Sequence, residues 1–443
     1  MSTKYVLIIT VSLFSFMRVN GNSIPDSLQY RDYDYIFNRI ESHGTSAKER
    51  SVYLKSFLLK AKSDKNWEEL CNAYKNYVYH APKAQRLIYA DSMVLTAKQS
   101  KDNKLIGSAY LSKGIAYYVQ RRLNEALDSY LLADKFISKT DDKYLKYKNV
   151  YSIAHIKFFL GDYDEAIVLL KSCIDNLKGR DNHGYLSSLY SLSLCYNLEG
   201  NYGLSSQVNN SGIFQCNQLL IPEMIPYFNL SEGANQCQLS NYKDAINKLT
   251  TALTSLPKND FSNRSVILFF LGKSYWKLGQ KDKAKFYFKQ VHRSYLKNGY
   301  LRPDLREAYE IMITYCKEKN DLKAQLYYVE ALLDVDRKLA LTSRNLVNKI
   351  HKEYDTKELL LQKKSIETSL ERRKYNDYIF LGTIGALCIT IFLIILRHIK
   401  TRKVLRAKYE ELLLRIEASK KEKTPFTDDT VLSVSQDTAL NIL

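Results

Sequence analysis

Hydrophobic and polar positions between residues 101 and 335 repeat with a spacing of about forty residues. The stretch "AYLSKGIAYYVQRRLNEALDSYLLA" (109–133) shares its pattern with "ILFFLGKSYWKLGQKDKAKFYFKQV" (267–291). In both, apolar residues recur every three or four positions on either side of a short polar turn, which is typical of two amphipathic helices. Four further segments carry related patterns, so the sequence predicts six consecutive helical hairpins.

A small residue near the start of each second helix fixes the register of these units. The six positions Ala126, Ala166, Ser205, Ala245, Ala284 and Ala324 are separated by 40, 39, 40, 39 and 40 residues. Small side chains let two helices approach closely, and aromatic side chains fill the remaining space between them. We therefore predict that the helices pack through these residues: Gly114, Tyr117, Ala126, Tyr130, Ala166, Tyr196, Gly233, Ala245, Gly272, Tyr275, Ala284, Phe288, Tyr315 and Ala324.

Stacked hairpins of this kind form an all-α solenoid, because each hairpin has an apolar face too wide to bury alone. Residues 101–335 are predicted to form this array, and residues 22–100 a more divergent helical region before it. The third unit departs most, with Ser193 in place of the glycine and Asn209 in place of the aromatic residue. Such arrays present a concave groove for an extended peptide or partner helix. Three tyrosines beside the packing positions are candidates to line it: Tyr118, Tyr287 and Tyr327.

The N-terminal residues 1–21 are predicted to be a signal peptide. Lys4 precedes an apolar core from Tyr5 to Phe16, which is too short to span a bilayer comfortably. Small residues then suit cleavage before Asn22. Arg18, between the core and this position, leaves an uncleaved anchor as the alternative.

A second apolar segment, residues 378–396, is predicted to cross a membrane once. It holds no formally charged residue, and a helix of this length spans roughly 28 Å, close to the hydrocarbon thickness of a bilayer. Residues 397–423 carry ten Lys or Arg against four Asp or Glu. The positive-inside rule therefore predicts an inner-membrane protein with a cytoplasmic C-terminus and an extracytoplasmic array.

Residues 336–377 are predicted to form a helical stalk between the array and the span. Val347, Ile350, Tyr354 and Leu361 lie near a heptad seam, so the stalk is a candidate for homodimer contacts. Residues 397–423 are predicted to form a basic cytoplasmic helix, which either dimerises or rests on anionic lipid. Residues 424–443 are predicted to be a disordered linker or the start of a further domain.

The composition favours a binding protein over an enzyme. The net charge is +19, and outside residues 397–423 the positive excess is spread along the chain as on a solvated helical surface. The seven histidines and seven cysteines form no metal-binding or catalytic motif, and no phosphate loop or nucleophile elbow occurs. We therefore expect no enzymatic activity, no cofactor and no bound metal.

The Gly or Ala, Tyr, Ala and aromatic positions of these units resemble the tetratricopeptide repeat (TPR), although that family's usual period is shorter. The order of signal peptide, long-period array, "EYDTKELLLQKK" stalk, single span and "KYEELLLRIEASKKEKTP" helix resembles membrane-anchored regulators of the Bacteroidetes type. The resemblance implies a cytoplasmic AraC-type helix-turn-helix domain that binds DNA, expected to be absent from this chain. "DTALNIL" at the C-terminus resembles the start of that domain's first helix.

These observations predict an extracytoplasmic TPR sensor that binds a peptide or protein and is coupled through the membrane to a transcriptional regulator. The alternative is a membrane-tethered TPR scaffold that assembles envelope proteins and has no DNA-binding role. A weaker hypothesis is that residues 397–423 themselves bind nucleic acid or membrane, since the basic run is equally expected from the positive-inside rule.

Overall fold

The computed structural model describes residues 24–42 and 44–421, and this part of the chain contains helices and no strand. The predicted signal peptide, residues 1–21, and the predicted linker, residues 424–443, lie outside the described residues. Five helices precede the repeats: α1 (Asp26–Gln29), α2 (Tyr33–Glu41), α3 (Ala47–Ser63), α4 (Trp67–His80) and α5 (Arg86–Ser100).

Six helical hairpins follow in the order and register that the sequence predicts. They are α6 (Asn103–Val119) with α7 (Leu123–Ile137), α8 (Lys143–Leu160) with α9 (Tyr163–Leu177), α10 (Asn182–Leu198) with α11 (Tyr202–Gln218), α12 (Ile225–Gln238) with α13 (Tyr242–Ser255), α14 (Phe261–Lys277) with α15 (Lys281–Asn298), and α16 (Glu307–Glu318) with α17 (Leu322–Ile350). The all-α solenoid fold is thereby confirmed.

Aspartates in the turns between hairpins start several of the first helices. The Asp102 carboxylate accepts hydrogen bonds from the backbone N–H groups of Lys104 and Leu105, at 2.6 and 3.2 Å. Asp142 caps α8 by accepting from the N–H of Leu145 at 2.9 Å. These caps satisfy donors that a helix start leaves unpaired, so the polar turns fix where each hairpin begins.

Within a hairpin, glycine lets the two helices approach until a large side chain fills the contact. A Cβ atom added at Gly114 would lie 2.5 Å from Cε1 of Tyr130, and one at Gly272 would lie 2.7 Å from Cε1 of Phe288. Gly233 makes the equivalent close approach to a leucine side chain. Any larger residue at these positions would have to displace a buried ring or branched side chain.

The third hairpin uses hydrogen bonds where the other hairpins use aromatic packing. Ser205 donates from Oγ to the carbonyl oxygen of Ser193 at 2.7 Å, and Ser193 donates from Oγ to Ser231 at 2.9 Å. The buried Asn209 amide donates to the Glu232 carboxylate at 3.1 Å. The third unit therefore replaces aromatic packing by buried hydrogen bonds, and it still forms a helical hairpin.

The last helix of the array, α17, is longer than the other repeat helices and returns to the first two hairpins. Leu346 and Ile350 are buried against side chains of α7 and α8. Nζ of Lys349 lies 2.5 Å from Asp128 of α7. Residues 336–350, which the sequence predicts to begin a stalk, therefore pack on the array. Their apolar side chains complete the core of the first two hairpins, which are distant in sequence and close in the fold.

A π-helical segment, His351–Asp355, follows α17 and is also held by the array. Lys157 of α8 is almost fully buried, and its ammonium group contacts the carboxylates of Glu165 and Asp355, the latter at 2.8 Å. Pairing is what makes a buried lysine tolerable. This ion cluster therefore attaches the end of α17 to the second hairpin.

The chain divides into two units, residues 1–357 and 358–443. The described part of the second unit belongs to a single helix, α18 (Thr356–Lys421). Within the described residues, the helical stretch Lys363–Ser419 is the one long and apolar enough to cross a membrane by length and composition. The large apolar side chains of the predicted span are exposed in this unit, as residues that face lipid would be.

Candidate functional site

First helices of the hairpins, from α6 to α14, supply most of the walls of a groove. Two cavities of about 330 and 290 Å³ lie side by side there and share four lining residues: Tyr118 of α6, Tyr151 and His155 of α8, and Ser187 of α10. Because these residues face both cavities, the two cavities are adjoining sections of one groove, which we call the inner groove.

His155 lies at the junction of the two sections and is held in a fixed orientation. Its Nδ1 is hydrogen-bonded to the Tyr118 hydroxyl at 3.2 Å and its Nε2 to Ser191 Oγ at 3.0 Å. Tyr151 packs against the imidazole with ring centres 4.6 Å apart. Burial, together with the nearby Arg121 guanidinium, lowers the pKa of His155 to about 4. The histidine is therefore neutral at physiological pH and acts as a hydrogen-bonding wall residue.

The groove extends toward the N-terminal helices through a third section. A cavity of about 810 Å³ shares Lys148 and His183 with the first section and is otherwise lined mainly by α2 and α4. Lys148 donates from Nζ to the Tyr144 hydroxyl at 2.9 Å and lies 3.7 Å from the Asp181 carboxylate. This section thus offers both charged and hydroxyl groups to a ligand.

At its other end the groove contains two arginines in contrasting environments. Arg302 forms a two-pronged ion pair with Asp304, with both N···O distances 2.5 Å. Arg121 lies over the rings of Tyr118, Phe261 and Tyr300, at 5.2, 5.4 and 4.7 Å from their centres. Its Nε is buried and has no hydrogen-bond acceptor among the described residues. The Arg121 guanidinium is therefore held mainly by aromatic faces, and its buried Nε–H is an unsatisfied polar group in the wall of the groove.

The groove combines aromatic surface with separated polar groups, and no cysteine is among its lining residues. Burial raises the pKa of Cys71, Cys173 and Cys195 to about 12, so these thiols carry little thiolate at neutral pH. In residues 24–42 and 44–421, no group of three or more His, Cys, Asp or Glu is placed to hold a metal ion.

One of the three predicted groove tyrosines lines the inner groove. Tyr118 shares a wall with His155 at the junction of the two sections. Tyr287 lies on α15, where its ring stacks on Tyr275 with centres 5.5 Å apart. Tyr327 lies on α17, half exposed, with its hydroxyl 2.7 Å from Nε2 of His292. Neither Tyr287 nor Tyr327 is among the residues that line the three sections of this groove.

The predicted packing residues are mostly buried. Tyr117, Tyr275 and Ala324 are partly buried. The remaining members are buried: Gly114, Ala126, Tyr130, Ala166, Tyr196, Gly233, Ala245, Gly272, Ala284, Phe288 and Tyr315.

The sequence interpretation missed most residues of the groove, including Tyr151, His155, Ser187 and Tyr190. A signal for two of them existed, since Tyr151 and Tyr190 are 39 residues apart and so occupy the same position in consecutive units. Both line the section of the groove next to Arg302. A second aromatic position, which repeats with the hairpins and lies outside the packing pattern, therefore indicates residues that line the groove.

Comparison with protein families identifies tetratricopeptide repeats in this chain. The family model of that name matches residues 147–176 and 266–293, which fall in the second and fifth hairpins. The comparison with curated proteins found no match.

Solved structures with the same kind of fold include a Rap protein complexed with Competence and Sporulation Factor. The likeness covers 73% of this chain and 91% of that one, at 15% identity and a TM-score of 0.50. A tetratricopeptide repeat protein from Parabacteroides merdae ATCC 43184 is similar over 64% of this chain and 99% of its own, at 15% identity and a TM-score of 0.41.

Proposed function

We propose that this chain is the ligand-binding part of a single-pass membrane signalling protein. The array binds an extended peptide or protein segment in the inner groove, outside the cytoplasm, and the helix containing residues 378–396 anchors it. The observation that carries this proposal is the inner groove itself. Its walls combine fixed aromatic rings with polar groups, and Arg121 and Arg302 bring positive charge to one end.

The shape of the groove favours an extended ligand over a compact one. Its sections adjoin in a row, and each is near the roughly 300–1,000 Å³ that ligand pockets occupy. Tyrosine rings provide large contact areas at low entropic cost, because they have only two rotatable side-chain bonds. A peptide strand can place alternate side chains in successive sections and offer backbone carbonyls to the hydroxyl and guanidinium donors.

The Rap protein of similar fold is complexed with Competence and Sporulation Factor. That complex supports the idea that an array of this fold can hold a bound factor. In this chain, the ligand would have to act through α17, whose end is attached to the second hairpin by the ion cluster of Lys157, Glu165 and Asp355. We propose that ligand binding alters this attachment and thereby signals to a transcriptional regulator of the AraC type.

The membrane topology is part of the same proposal. Arg397, Lys400, Arg402 and Lys403 follow the apolar segment directly, so the positive-inside rule favours the cytoplasmic side for residues 397–423. Alkaline phosphatase fused after residue 300 should then be active, and the same enzyme fused after residue 421 inactive. The reverse pattern would refute the orientation.

Site-specific photo-crosslinking tests ligand binding even while the identity of the ligand is open. A photo-reactive amino acid at Ser187, inside the inner groove, should give a defined adduct in cells that produce the full chain. The matched control is Ser211, an exposed residue on the second helix of the same hairpin. Identical adducts from both positions, or none from Ser187, would contradict the proposal.

The alternative function is a membrane-tethered scaffold for envelope proteins, with no transcriptional role. The DNA downstream of codon 443 separates the two functions. A helix-turn-helix coding region in the same or a shifted frame supports the sensor, whereas an unrelated gene with its own promoter supports the scaffold.

A further inference from the structure

A second groove, distinct from the inner groove, lies where the N-terminal helices meet the fifth hairpin. We call it the basic groove. It encloses about 550 Å³ between the turn before α5, the end of α6, and helices α14 and α15. Its lining contains no acidic residue and six cationic residues: Lys83, Arg86, Lys258, Arg264, Arg293 and Lys297.

None of the six cations is paired with a carboxylate in the described structure. Arg86 donates from Nε to the carbonyl oxygen of Ala81 at 2.9 Å. Arg264 donates from Nη1 to the carbonyl oxygens of Leu253 and Leu256 at 2.9 and 3.2 Å, at the end of α13. These bonds fix the two arginines at the wall and leave their charges uncompensated. Surface lysines and arginines elsewhere on the array are often paired, as Lys273 is with Glu307 at 2.8 Å.

The remaining cations are free to move toward a ligand. Lys258, Arg293 and Lys297 are exposed, and Lys83 lies 5.8 Å from the ring centre of Phe261 at the floor of the groove. Like charges gathered in a cleft repel one another and raise the local positive potential. An anionic partner relieves this repulsion and gains attraction from several cations at once.

Apolar side chains in the same wall decide what kind of anion fits. Val119, Leu253, Phe261 and Leu268 line the groove among the cations. A bare phosphate or a lipid headgroup would leave this apolar surface exposed to water, whereas a peptide with neighbouring acidic and apolar residues would cover it. We propose that the basic groove binds an acidic segment of a partner protein, one that alternates carboxylates with apolar side chains. This inference does not depend on ligand binding in the inner groove.

Fluorescence anisotropy with the purified full chain in detergent provides the test. The probe is a labelled peptide of alternating glutamate and leucine, compared with the same peptide carrying glutamine in place of glutamate. The glutamate peptide should bind about tenfold more tightly, and its affinity should fall steeply as salt is raised. Equal affinity of the two peptides would overturn the proposal.

Charge reversal localises the binding. The double variant Arg293→Glu, Lys297→Glu should weaken binding of the glutamate peptide about tenfold or more, since two attractions become two repulsions. The matched control Lys243→Glu, Lys289→Glu alters two exposed lysines outside this groove and should leave the affinity nearly unchanged. Equal effects of both double variants would refute the site. So would competition by inorganic phosphate at low concentration, or by phosphatidylglycerol vesicles in preference to the peptide.

Discussion

Replacing Gly114 by alanine should weaken the first hairpin, although alanine is the better helix former. The added Cβ would lie 2.5 Å from Cε1 and 2.6 Å from Cδ1 of Tyr130, whose side chain is almost fully buried. Overpacking of this kind costs about 1–3 kcal/mol, and the gain in helix propensity offsets about 1 kcal/mol. The net expected loss is about 1 kcal/mol.

Hydrogen exchange followed by mass spectrometry can measure this loss locally, which matters because repeat arrays need not unfold in one step. Backbone amides of α6 and α7 should exchange about fivefold faster in Gly114→Ala than in the parent chain, while those of α14 and α15 should not change. The matched control is Gly203→Ala in α11, where an added Cβ meets no atom within 4 Å. This control should leave exchange unchanged or slow it.

A second variant checks the cause. In a chain that already carries Tyr130→Ala, the ring that opposes the new methyl group is gone, so Gly114→Ala should no longer accelerate exchange. The reasoning is refuted if Gly114→Ala and Gly203→Ala behave alike in the parent chain, or if the cost persists without the tyrosine ring.

Two further predictions concern the ion cluster and the buried histidine. Lys157→Met should accelerate amide exchange at the end of α17 and in residues 351–355, since it leaves the Asp355 carboxylate without its ammonium partner. Asp355→Asn should accelerate exchange of the same amides by a smaller factor. Stability should also fall with acid, because burial lowers the pKa of His155 to about 4 in the folded chain, against about 6.5 when unfolded. The stability that neutral His155 contributes is complete above about pH 6.5 and is lost as pH falls toward about 4. His155→Asn should reduce the slope of the unfolding free energy against pH in that interval by the equivalent of up to one bound proton. An unchanged slope would contradict the assignment.

The hairpins could be predicted from the sequence because the signals that set them are local. Ala126 and Ala166 mark helix starts at a constant spacing, and Gly114 and Tyr130 mark one close contact within a single unit. Each such signal lies within about twenty residues. No information about neighbouring hairpins is needed to interpret it.

The grooves could not be predicted in the same way, since they depend on how the hairpins stack. Arg121 and Arg302 are far apart in the chain and line the same section of the inner groove. Lys83 and Lys297 likewise join one basic groove, although in the sequence their charges are part of a general positive excess along the array. Such encounters follow from the curvature of the whole solenoid, which repeat spacing does not specify.

The end of α17 shows a different limit. The apolar residues near Ile350 predict a seam that could pair with a second chain, and in the structure Ile350 packs on the first two hairpins. Val347, in the same predicted seam, is about half exposed. An apolar stripe indicates that a face is covered, and it does not indicate whether the cover comes from the same chain or from another.

The central claim is that a ligand binds in the inner groove, and titration of the ligand recovered from the Ser187 crosslink tests it most directly. Full chains carrying Ser187→Trp or Ser211→Trp should be compared with the parent by calorimetry. The indole of Ser187→Trp would fill the junction of the two sections, so affinity should fall about a hundredfold, whereas Ser211→Trp should bind as the parent does. Equal affinities of the two tryptophan variants would contradict the account.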